Sequence, residues 1–436
     1  MYLLSIPRAA AAGAALLVLC YAGCDTMSLP LESTSRVRPP DSTTDPETPP
    51  AQDLVVENDD SNNVFENAQP ATLAIGGVIQ VEGRINGVGD VDLFRLGPVL
   101  AGDRITIDVT GFGGLNTVAG LFDAGGNLID ANDDRSYYGG QLDPFLARQI
   151  RADTDNLYVG IAVSSADLFA SGEGRYESGD YSIKIRHAPD SFIAPPRTQV
   201  VYMDFEGGSS VQIGFEPIVN MKPFSVEAIT GRLNGQTDYI IDVVLQKMAI
   251  DFAEYDVVLL NSREHAKPSE AHSVLFFGNY DSRFLGLADN VDTGNASLQQ
   301  EAIIYTETLM LFESLRPSAF EIGQAVANVA GHELGHLLGL EHTSEAFDLM
   351  ATAASARQVL ETDATVARAL LNNGVFPIGW QNAPTTLMQN VGAAKNNSAK
   401  LLRAMEPPEY DRSFRDGVHP DDIPKVPMCG RCTGGL

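Results

Sequence analysis

A short run of residues in the second half of the chain restricts its fold and chemistry more than any other feature. The run contains His332, Glu333, His336, Gly339 and His342. Residues four apart on a helix project from the same face, so the first two imidazoles are expected to meet one metal ion. The third histidine would lie on another face if the helix continued. Glycine tolerates positive φ, and a sharp turn there is predicted to bring the third imidazole back to the same ion.

This set of donors predicts zinc (Zn²⁺) as the cofactor. Three protein nitrogens that leave one position open are the ligands of catalytic zinc, whereas structural zinc sites are closed. Glu333 follows the first ligand directly and is predicted to act as the general base on a water in the open position. The supporting helix is expected over residues 319–338, because Ser318 and Glu321 form an S-x-x-E capping box directly after Pro317.

The run is the metzincin signature H-E-x-x-H-x-x-G-x-x-H, and Met350 follows its last histidine at a spacing similar to that of the matrixin branch. The resemblance implies an α+β peptidase domain, placed at residues 197–392, in which Met350 packs beneath the zinc ligands and binds no metal. It also implies a zinc endopeptidase that hydrolyses protein or peptide substrates, with Glu333 activating the zinc-bound water. By the same resemblance, residues 286–290 lie near the edge strand to which an extended peptide adds.

One alternative comes from another functional class. The chain would then be a cell-surface binding protein in which the peptidase domain is vestigial or inactive, and its N-terminal domain would carry the function. The intact Glu333 favours the enzyme, since the proton transfer described above requires that carboxylate.

Between residues 54 and 190, short alternating apolar and polar runs are separated by turn residues, a pattern typical of an antiparallel β-sandwich. Residues 89–94 and 179–181 resemble parts of the pre-peptidase C-terminal domain, which implies an accessory domain beside a secreted peptidase. Consecutive prolines at 195–196 mark a break, after which helical and strand patterns mix. Residues 376–380 are expected to pack inside this later domain. The expected fold is multidomain: an antiparallel β-sandwich followed by an α+β metzincin-like zinc peptidase domain.

Residues 1–24 are predicted to be an export signal, because one early arginine precedes an apolar stretch that is short for a membrane span. The last four of them, Tyr-Ala-Gly-Cys, resemble a bacterial lipobox, which implies lipidation of Cys24 and attachment to a membrane. Ordinary signal cleavage near Ala22 is the alternative. Residues 25–53, rich in proline, serine and threonine, are predicted to be a disordered linker. These features predict an extracytoplasmic protein, either a membrane-anchored lipoprotein of the cell envelope or a secreted one.

The charge of the chain bears on its partners. A formal net charge of -28 argues against nucleic acid, which requires a basic surface to displace counterions from phosphate. Carboxylates also offer oxygen ligands for Ca²⁺, and residues 130–134 and 289–295 are two candidate sites. A plain polar turn is the alternative for each of these segments.

Residues 393–436 are predicted to form a polar tail that contains a C-x-x-C pair, Cys429 and Cys432. In an oxidising compartment such a pair is expected to close a local disulfide, with half of a metal knuckle as the alternative. Residues 427–430, Pro-Met-Cys-Gly, resemble the cysteine switch by which a matrixin pro-segment caps the zinc with a thiolate. That switch precedes the catalytic domain, whereas this segment follows it, so a disulfide or an unstructured end is the preferred prediction.

Overall fold

The computed structural model describes residues 53–58, 61–136, 140–164, 178–189, 192–352, 355–395, 412–419 and 422–429. The predicted export signal with Cys24, all but the last residue of the predicted linker, and Cys432 lie outside these ranges. All the described residues belong to one compact unit, Ala51–Leu436.

Residues 53–188 are here called the strand region. Strands such as Arg104–Gly111 and Gly179–Ala188 alternate buried and more exposed side chains, because successive residues of a strand point to opposite faces. Its strands are β1 (Asp53–Val56), β2 (Gln69–Pro70), β3 (Val78–Ile85), β4 (Val91–Val99), β5 (Arg104–Gly111), β6 (Thr117–Phe122), β7 (Leu128–Asn132), β8 (Phe145–Gln149), β9 (Thr154–Val163) and β10 (Gly179–Ala188). They form two five-stranded sheets, with the orders β1-β3-β10-β5-β8 and β2-β4-β9-β6-β7.

The expectation of wholly antiparallel sheets is wrong at one place in each sheet. Strand β1 pairs with β3 in parallel, and β2 pairs with β4 in parallel. In both cases the chain crosses to the other sheet between the two partners, so no hairpin turn imposes an antiparallel direction. The other neighbours in both sheets pair antiparallel, as predicted.

Side chains from both of these sheets meet in one apolar core. Ile105 and Ile107 of β5 and Val159 and Ile161 of β9 are fully buried members of the same cluster. Each pair is spaced by two residues, so the apolar face of each sheet points to the shared core.

Residues 199–390, here called the mixed region, combine strands and helices. Its strands are β11 (Gln199–Asp204), β12 (Gly208–Val211), β13 (Val219–Met221), β14 (Val257–Asn261), β15 (Ser273–Gly278), β16 (Gly286–Ala288), β17 (Glu301–Tyr305), β18 (Arg368–Leu370) and β19 (Trp380–Asn382). Five of them form a sheet in the order β14-β11-β15-β17-β16. Strand β16 runs antiparallel to its neighbour and lies at the edge. An edge strand presents N–H and C=O groups to which an extended chain can pair.

The α-helices and short 3-10 segments complete the described elements. They are α1 (Thr237–Asp251), α2 (Ala319–Leu337), α3 (Ala356–Glu361) and α4 (Ala383–Asn390), with 3-10 turns at Phe65–Asn67, Val226–Ala228, Gly231–Leu233, Thr306–Leu315 and Ser413–Gly417. Among the described residues, none of the helices is both long and apolar enough to cross a membrane.

Helix α2 is the central element of the mixed region, and all of its residues are buried. It begins with the predicted capping box: Ser318 Oγ accepts from the Glu321 N–H at 3.2 Å, and Glu321 Oε2 accepts from the Ser318 N–H at 2.8 Å. It packs closely on α1, because a Cβ at Gly323 would lie 2.7 Å from Val243. Its buried polar side chains find partners: Gln324 Nε2 and Asn328 Nδ2 donate to the carbonyls of Leu360 and Val359, at 2.9 Å and 3.1 Å.

The strand region and the mixed region pack together through Phe376. Its ring is fully buried where two glycines leave space, since a Cβ at Gly120 or Gly160 would come within 3.1 Å or 2.7 Å of that ring. The ring of Phe122 meets it edge-on at 5.1 Å. The expectation that residues 376–380 pack inside the mixed region is therefore wrong, because the cavity that receives Phe376 lies in the other region.

The end of the chain packs against the mixed region. We call residues 412–419 and 422–429 the C-terminal strap. Ile423, Val426 and Met428 are buried in the same core as α2, and Arg415 is almost fully buried. The prediction of a polar tail misses these contacts, because apolar residues scattered among prolines and charges show no helical or strand period.

Candidate active site

Three imidazoles converge at the C-terminal end of α2. His332 and His336 lie one turn apart on the helix, and His342 lies just beyond it. The Nε2 atom of His332 is 3.1 Å from that of His336 and 3.3 Å from that of His342. The first two rings are fully buried and the third is half-buried. The structure thus brings together the three residues predicted to bind metal.

Gly339 makes this convergence possible. Its φ is 90°, and the N–H groups of Leu340 and Gly339 donate to the carbonyls of Gly335 and His336, each at 2.9 Å. This pair of hydrogen bonds is a Schellman motif, which ends a helix on a glycine in the left-handed conformation. A Cβ at this position would also lie 2.8 Å from the carbonyl oxygen of Asp292. The turn sends the chain back toward the helix, as the sequence predicts.

Backbone carbonyls orient two of the rings. His332 Nδ1 donates to the carbonyl of Leu349 at 2.9 Å, and His336 Nδ1 donates to the carbonyl of Leu340 at 2.8 Å. A carbonyl oxygen only accepts, so the ring proton lies on Nδ1 and Nε2 keeps its lone pair. Burial lowers the pKa of His336, and it lowers the pKa of His342 to about 4. Neutral imidazoles in this tautomer are the form that binds metal.

The donor set fits zinc. Two nitrogens bound to one tetrahedral zinc at roughly 2.0–2.1 Å lie about 3.3 Å apart. The observed Nε2 separations of 3.1 Å and 3.3 Å already match that spacing. Hydrogen bonds from Nδ1 to backbone are also the usual way in which a protein holds a metal-binding histidine in place.

Glu333 lies between the imidazoles and the edge strand β16. Its side chain is fully buried, and Oε1 has no hydrogen-bond partner among the described residues. A Cβ at Gly286 would overlap this carboxylate, so any larger residue at that position would force the carboxylate or the strand to shift. Burial, and then the nearby Cys429, raise the pKa of Glu333 well above its ordinary value. The location suits a general base that faces a substrate on β16.

Met350 lies under the ligands, where the resemblance to matrixins predicts it. It is fully buried, and a Cβ at Gly335 would overlap its sulfur. Thr343 and Asp348 hold it there: Thr343 Oγ1 and the Met350 N–H donate to Asp348 Oδ1 at 2.7 Å and 3.0 Å. The Thr343 N–H donates in turn to the Met350 carbonyl at 2.9 Å. Sequence reasoning missed Thr343 and Asp348, whose role depends on a turn that only the fold defines.

Cys429 of the C-terminal strap reaches the same site. Its Sγ and the ligand nitrogens of the three histidines all lie within 4.8 Å of one another. The thiol also donates to Glu333 Oε2 at 3.5 Å. The predicted disulfide to Cys432 stays a prediction, because that residue lies outside the described ranges. No signal beyond the brief likeness of residues 427–430 to a cysteine switch pointed to this location.

Neither segment predicted to bind calcium forms a cluster of three or more metal-ligating histidine, cysteine or carboxylate side chains within the described part of the chain. Asp130 pairs with Arg148, with 3.0 Å between Oδ2 and Nε. Asp292 accepts hydrogen bonds from the backbone N–H groups of Ala296 and Ser297 at 2.7 Å and 2.8 Å. These carboxylates shape turns and contacts, so calcium has no support here.

Comparison with known proteins bears on this site. Residues 271–367 match the family model described as Matrixin, and this stretch includes the three histidines, Glu333 and Met350. The predicted resemblance to matrixins is therefore confirmed, and the match supports a zinc metallopeptidase. A search of curated proteins found no match.

Two solved structures are similar to parts of the chain. One is the pre-peptidase C-terminal domain of a collagenase from Bacillus anthracis, at 15% identity, covering 27% of this chain and 94% of that chain with a TM-score of 0.19. The other is an archaemetzincin from Methanopyrus kandleri, at 13% identity, covering 39% of this chain and 89% of that chain with a TM-score of 0.23.

Proposed function

We propose that the protein is a zinc endopeptidase that hydrolyses peptide bonds in extracytoplasmic proteins. One observation carries the proposal: the convergence of His332, His336 and His342 beside the buried carboxylate of Glu333. A buried carboxylate oxygen without a partner costs stability, and a purely structural metal site has no need of one. Hydrolysis does need a base at this place.

The residues divide the chemistry between them. Zinc held by the three histidines would polarise the scissile carbonyl and lower the pKa of water at the site. Glu333 accepts the proton of the attacking water and later delivers a proton to the leaving amine. The Leu349 and Leu340 carbonyls keep two imidazoles in the binding tautomer, and the Thr343–Asp348 pair keeps Met350 beneath them.

Strand β16 would align the substrate. An extended peptide can pair with an edge strand through main-chain groups alone, which favours internal segments of a chain. Gly286 has no side chain, so the backbone of a paired peptide can approach Glu333 closely. The absence of a side chain at Gly286 also allows the carboxylate of Glu333 to lie directly against the edge strand.

The test compares two forms of the full chain. Both carry Cys429→Ser, so that this thiol cannot bind the metal, and one also carries Glu333→Gln. Each is loaded with zinc, its metal content is measured, and it is incubated with a mixed protein and peptide library whose new termini are identified by mass spectrometry. We expect equal zinc in both and cleavage by the form with Glu333 alone. Equal zinc without cleavage by either would contradict the proposal and favour the binding-protein alternative.

We also propose export and anchoring through a lipid on Cys24, supported by the lipobox-like sequence described above. The test is expression in a bacterial host with a labelled fatty acid. The parent chain should carry the label and fractionate with membranes, and Cys24→Ala should lose both properties. An unlabelled parent chain in the soluble fraction would contradict the anchor.

A further inference from the structure

We propose that the C-terminal strap is a built-in inhibitor of the candidate active site, with the sulfur of Cys429 as a fourth ligand of the metal held by His332, His336 and His342. The inhibitory role rests on the proposed peptidase function. The ligation by Cys429 rests on geometry alone, so the two parts can fail separately.

The position of the sulfur is the first support. Cys429 Sγ lies within 4.8 Å of the ligand nitrogens of all three histidines. In one tetrahedral zinc site with nitrogen and sulfur ligands, the ligand atoms lie about 3.3–3.6 Å apart. A small movement of one side chain therefore completes the tetrahedron. The sulfur would bind as a thiolate, with its proton released to solvent.

Such a site would be closed. Catalytic zinc keeps an open position for water and substrate, whereas four protein ligands make the structural arrangement. The sulfur also lies 3.5 Å from Glu333 Oε2. It would therefore block the approach of an attacking water to the carboxylate. The strap would thus remove the position of the water and cover the base at the same time.

The backbone of the strap occupies the proposed substrate edge as well. The carbonyls of Pro427 and Met428 accept hydrogen bonds from the N–H groups of Leu285 and Gly286, at 3.0 Å and 2.9 Å. Cys429 pairs in parallel with Gly286. A peptide that adds to β16 needs the same edge, so the strap and a substrate exclude each other.

Two anchors hold the strap in this place. Arg415 forms a bidentate pair with Glu321, each bond 2.9 Å long, and both side chains are 1% exposed. Ile423, Val426 and Met428 insert into the core that surrounds α2. Glu321 lies in the first turn of α2 and the histidines lie near its end, so the strap contacts both ends of the helix that carries the ligands. A chain end that lay at the site by chance would have no reason to form a buried ion pair with the first turn of the same helix.

Ligation is tested with cobalt(II) as the metal probe, because a thiolate bound to cobalt gives a near-ultraviolet charge-transfer band that imidazole ligands do not give. The full chain, its Cys429→Ser variant and the matched control Cys432→Ser are loaded under reducing conditions. We expect the band in the parent and in Cys432→Ser, and its loss in Cys429→Ser. A parent chain that binds cobalt without the band would overturn the ligation.

A second test of the ligation measures the reactivity of the Cys429 thiol and does not depend on the spectrum of the metal. Zinc should slow the alkylation of Cys429 by about tenfold or more, because a bound thiolate is unavailable to the reagent. The modification is followed by mass spectrometry on the peptide that contains Cys429. Equal alkylation rates with and without zinc would overturn the ligation independently of the cobalt result.

Inhibition is tested on the same three proteins loaded with zinc, with the substrate library used above. We expect Cys429→Ser to cleave about tenfold faster or more than the parent and Cys432→Ser, since the rate follows the fraction of molecules whose site is open. Cys429→Ala, which carries no ligand atom, should behave in the same way. Equal cleavage by parent and variants would overturn the inhibitor and leave the peptidase standing. A cobalt band in the parent without cleavage by any variant, including one that ends at Lys425 and so lacks the residues that pair with β16, would overturn the peptidase and the inhibitor, and leave the ligation standing.

Discussion

Gly286 and Glu333 approach each other so closely that a side chain at position 286 would overlap the carboxylate. The glycine lies on the edge strand β16, and the glutamate lies on α2 between two of the metal-binding histidines. This contact therefore sets the distance between the proposed base and any peptide that pairs with the strand.

The Gly286→Ala variant tests this relationship. The added methyl group must displace the carboxylate or the strand, and we expect kcat/KM to fall about 10–100-fold, the cost of misplacing a catalytic group by about 1 Å. Zinc content should not change, because the histidines keep their positions. Rates are measured in the chain with Cys429→Ser. The control is Gly231→Ala, where a Cβ would meet nothing within 4 Å. Normal kcat/KM in Gly286→Ala would show that Glu333 does not act at this place.

Thr343 and Asp348 lead to a prediction about metal affinity. In Thr343→Val the shape is kept but the buried Asp348 loses the donor at 2.7 Å. We expect the free energy of unfolding without metal to fall by about 1–3 kcal/mol, as for other buried groups left without a partner. Zinc affinity should fall about 10–100-fold, because Asp348 adjoins the carbonyl that orients His332. Urea denaturation in a chelator and competition with a zinc indicator measure the two effects.

The control for that prediction is Thr343→Ser, which keeps the hydroxyl. We expect its zinc affinity to stay close to that of the parent. If the valine and serine variants bind zinc equally well, the hydrogen bond to Asp348 has no part in holding the metal site.

The ion pair of Glu321 and Arg415 predicts a loss of stability in acid. Burial alone would raise the pKa of Glu321, but hydrogen bonds, first of all from Arg415, hold it at about 2, below the ordinary 4.5. A carboxyl whose pKa is lowered by folding stabilises the protein above the unfolded value and loses that contribution as pH falls through the folded value. We expect about 3 kcal/mol to be lost between pH about 4.5 and about 2. Denaturant unfolding across this range should show a flatter curve for Glu321→Gln.

Removal of the arginine is a separate test of the same pair. Arg415→Met leaves Glu321 buried and charged at pH 7, and we expect a loss of about 3–5 kcal/mol in the free energy of unfolding. Arg412 also pairs with Glu321, but its side chain is 42% exposed. The matched control Arg412→Ala should therefore cost less than about 1 kcal/mol. Equal losses in the two variants would contradict the central place given to Arg415.

The predicted bounds of α2, residues 319–338, differ by one residue from those in the structure, Ala319–Leu337. Local signals explain this agreement. Ser318 and Glu321 fix its start through hydrogen bonds to each other, and Gly339 fixes its end through its own backbone conformation. The convergence of the histidines follows from those same residues. All the information lies within about two dozen consecutive positions.

The strap could not be predicted in the same way, because its contacts are distant in sequence. The carbonyl oxygen of Met428 accepts a hydrogen bond from the N–H of Gly286, a residue far upstream on the edge strand. Sequence proximity instead pairs Cys429 with Cys432, which is why the sequence alone favours a local disulfide. The fit of Phe376 between two glycines of the strand region is non-local in the same sense. No period or motif reports such contacts.

Phe376 leads to the last prediction, which concerns how the strand region and the mixed region unfold. Its ring is fully buried against Phe122 at 5.1 Å, on the far side of the boundary between the two regions. Phe376→Ala should cost about 3–5 kcal/mol, because it leaves a cavity at that boundary. We expect the parent to unfold in one calorimetric transition and the variant in two, since the regions lose the contact that couples them.

Trp380 lies close to this boundary and is the single tryptophan of the chain, so its fluorescence reports on the contact directly. The matched control is Phe347→Ala, whose ring is 63% exposed and whose removal should change stability by no more than about 0.5 kcal/mol. If the parent chain already unfolds in two transitions, Phe376 does not couple the regions. If the variant keeps a single transition at a lowered midpoint, other contacts across the boundary suffice to couple the two regions. The cavity at Phe376 then only lowers the free energy of unfolding of both regions together.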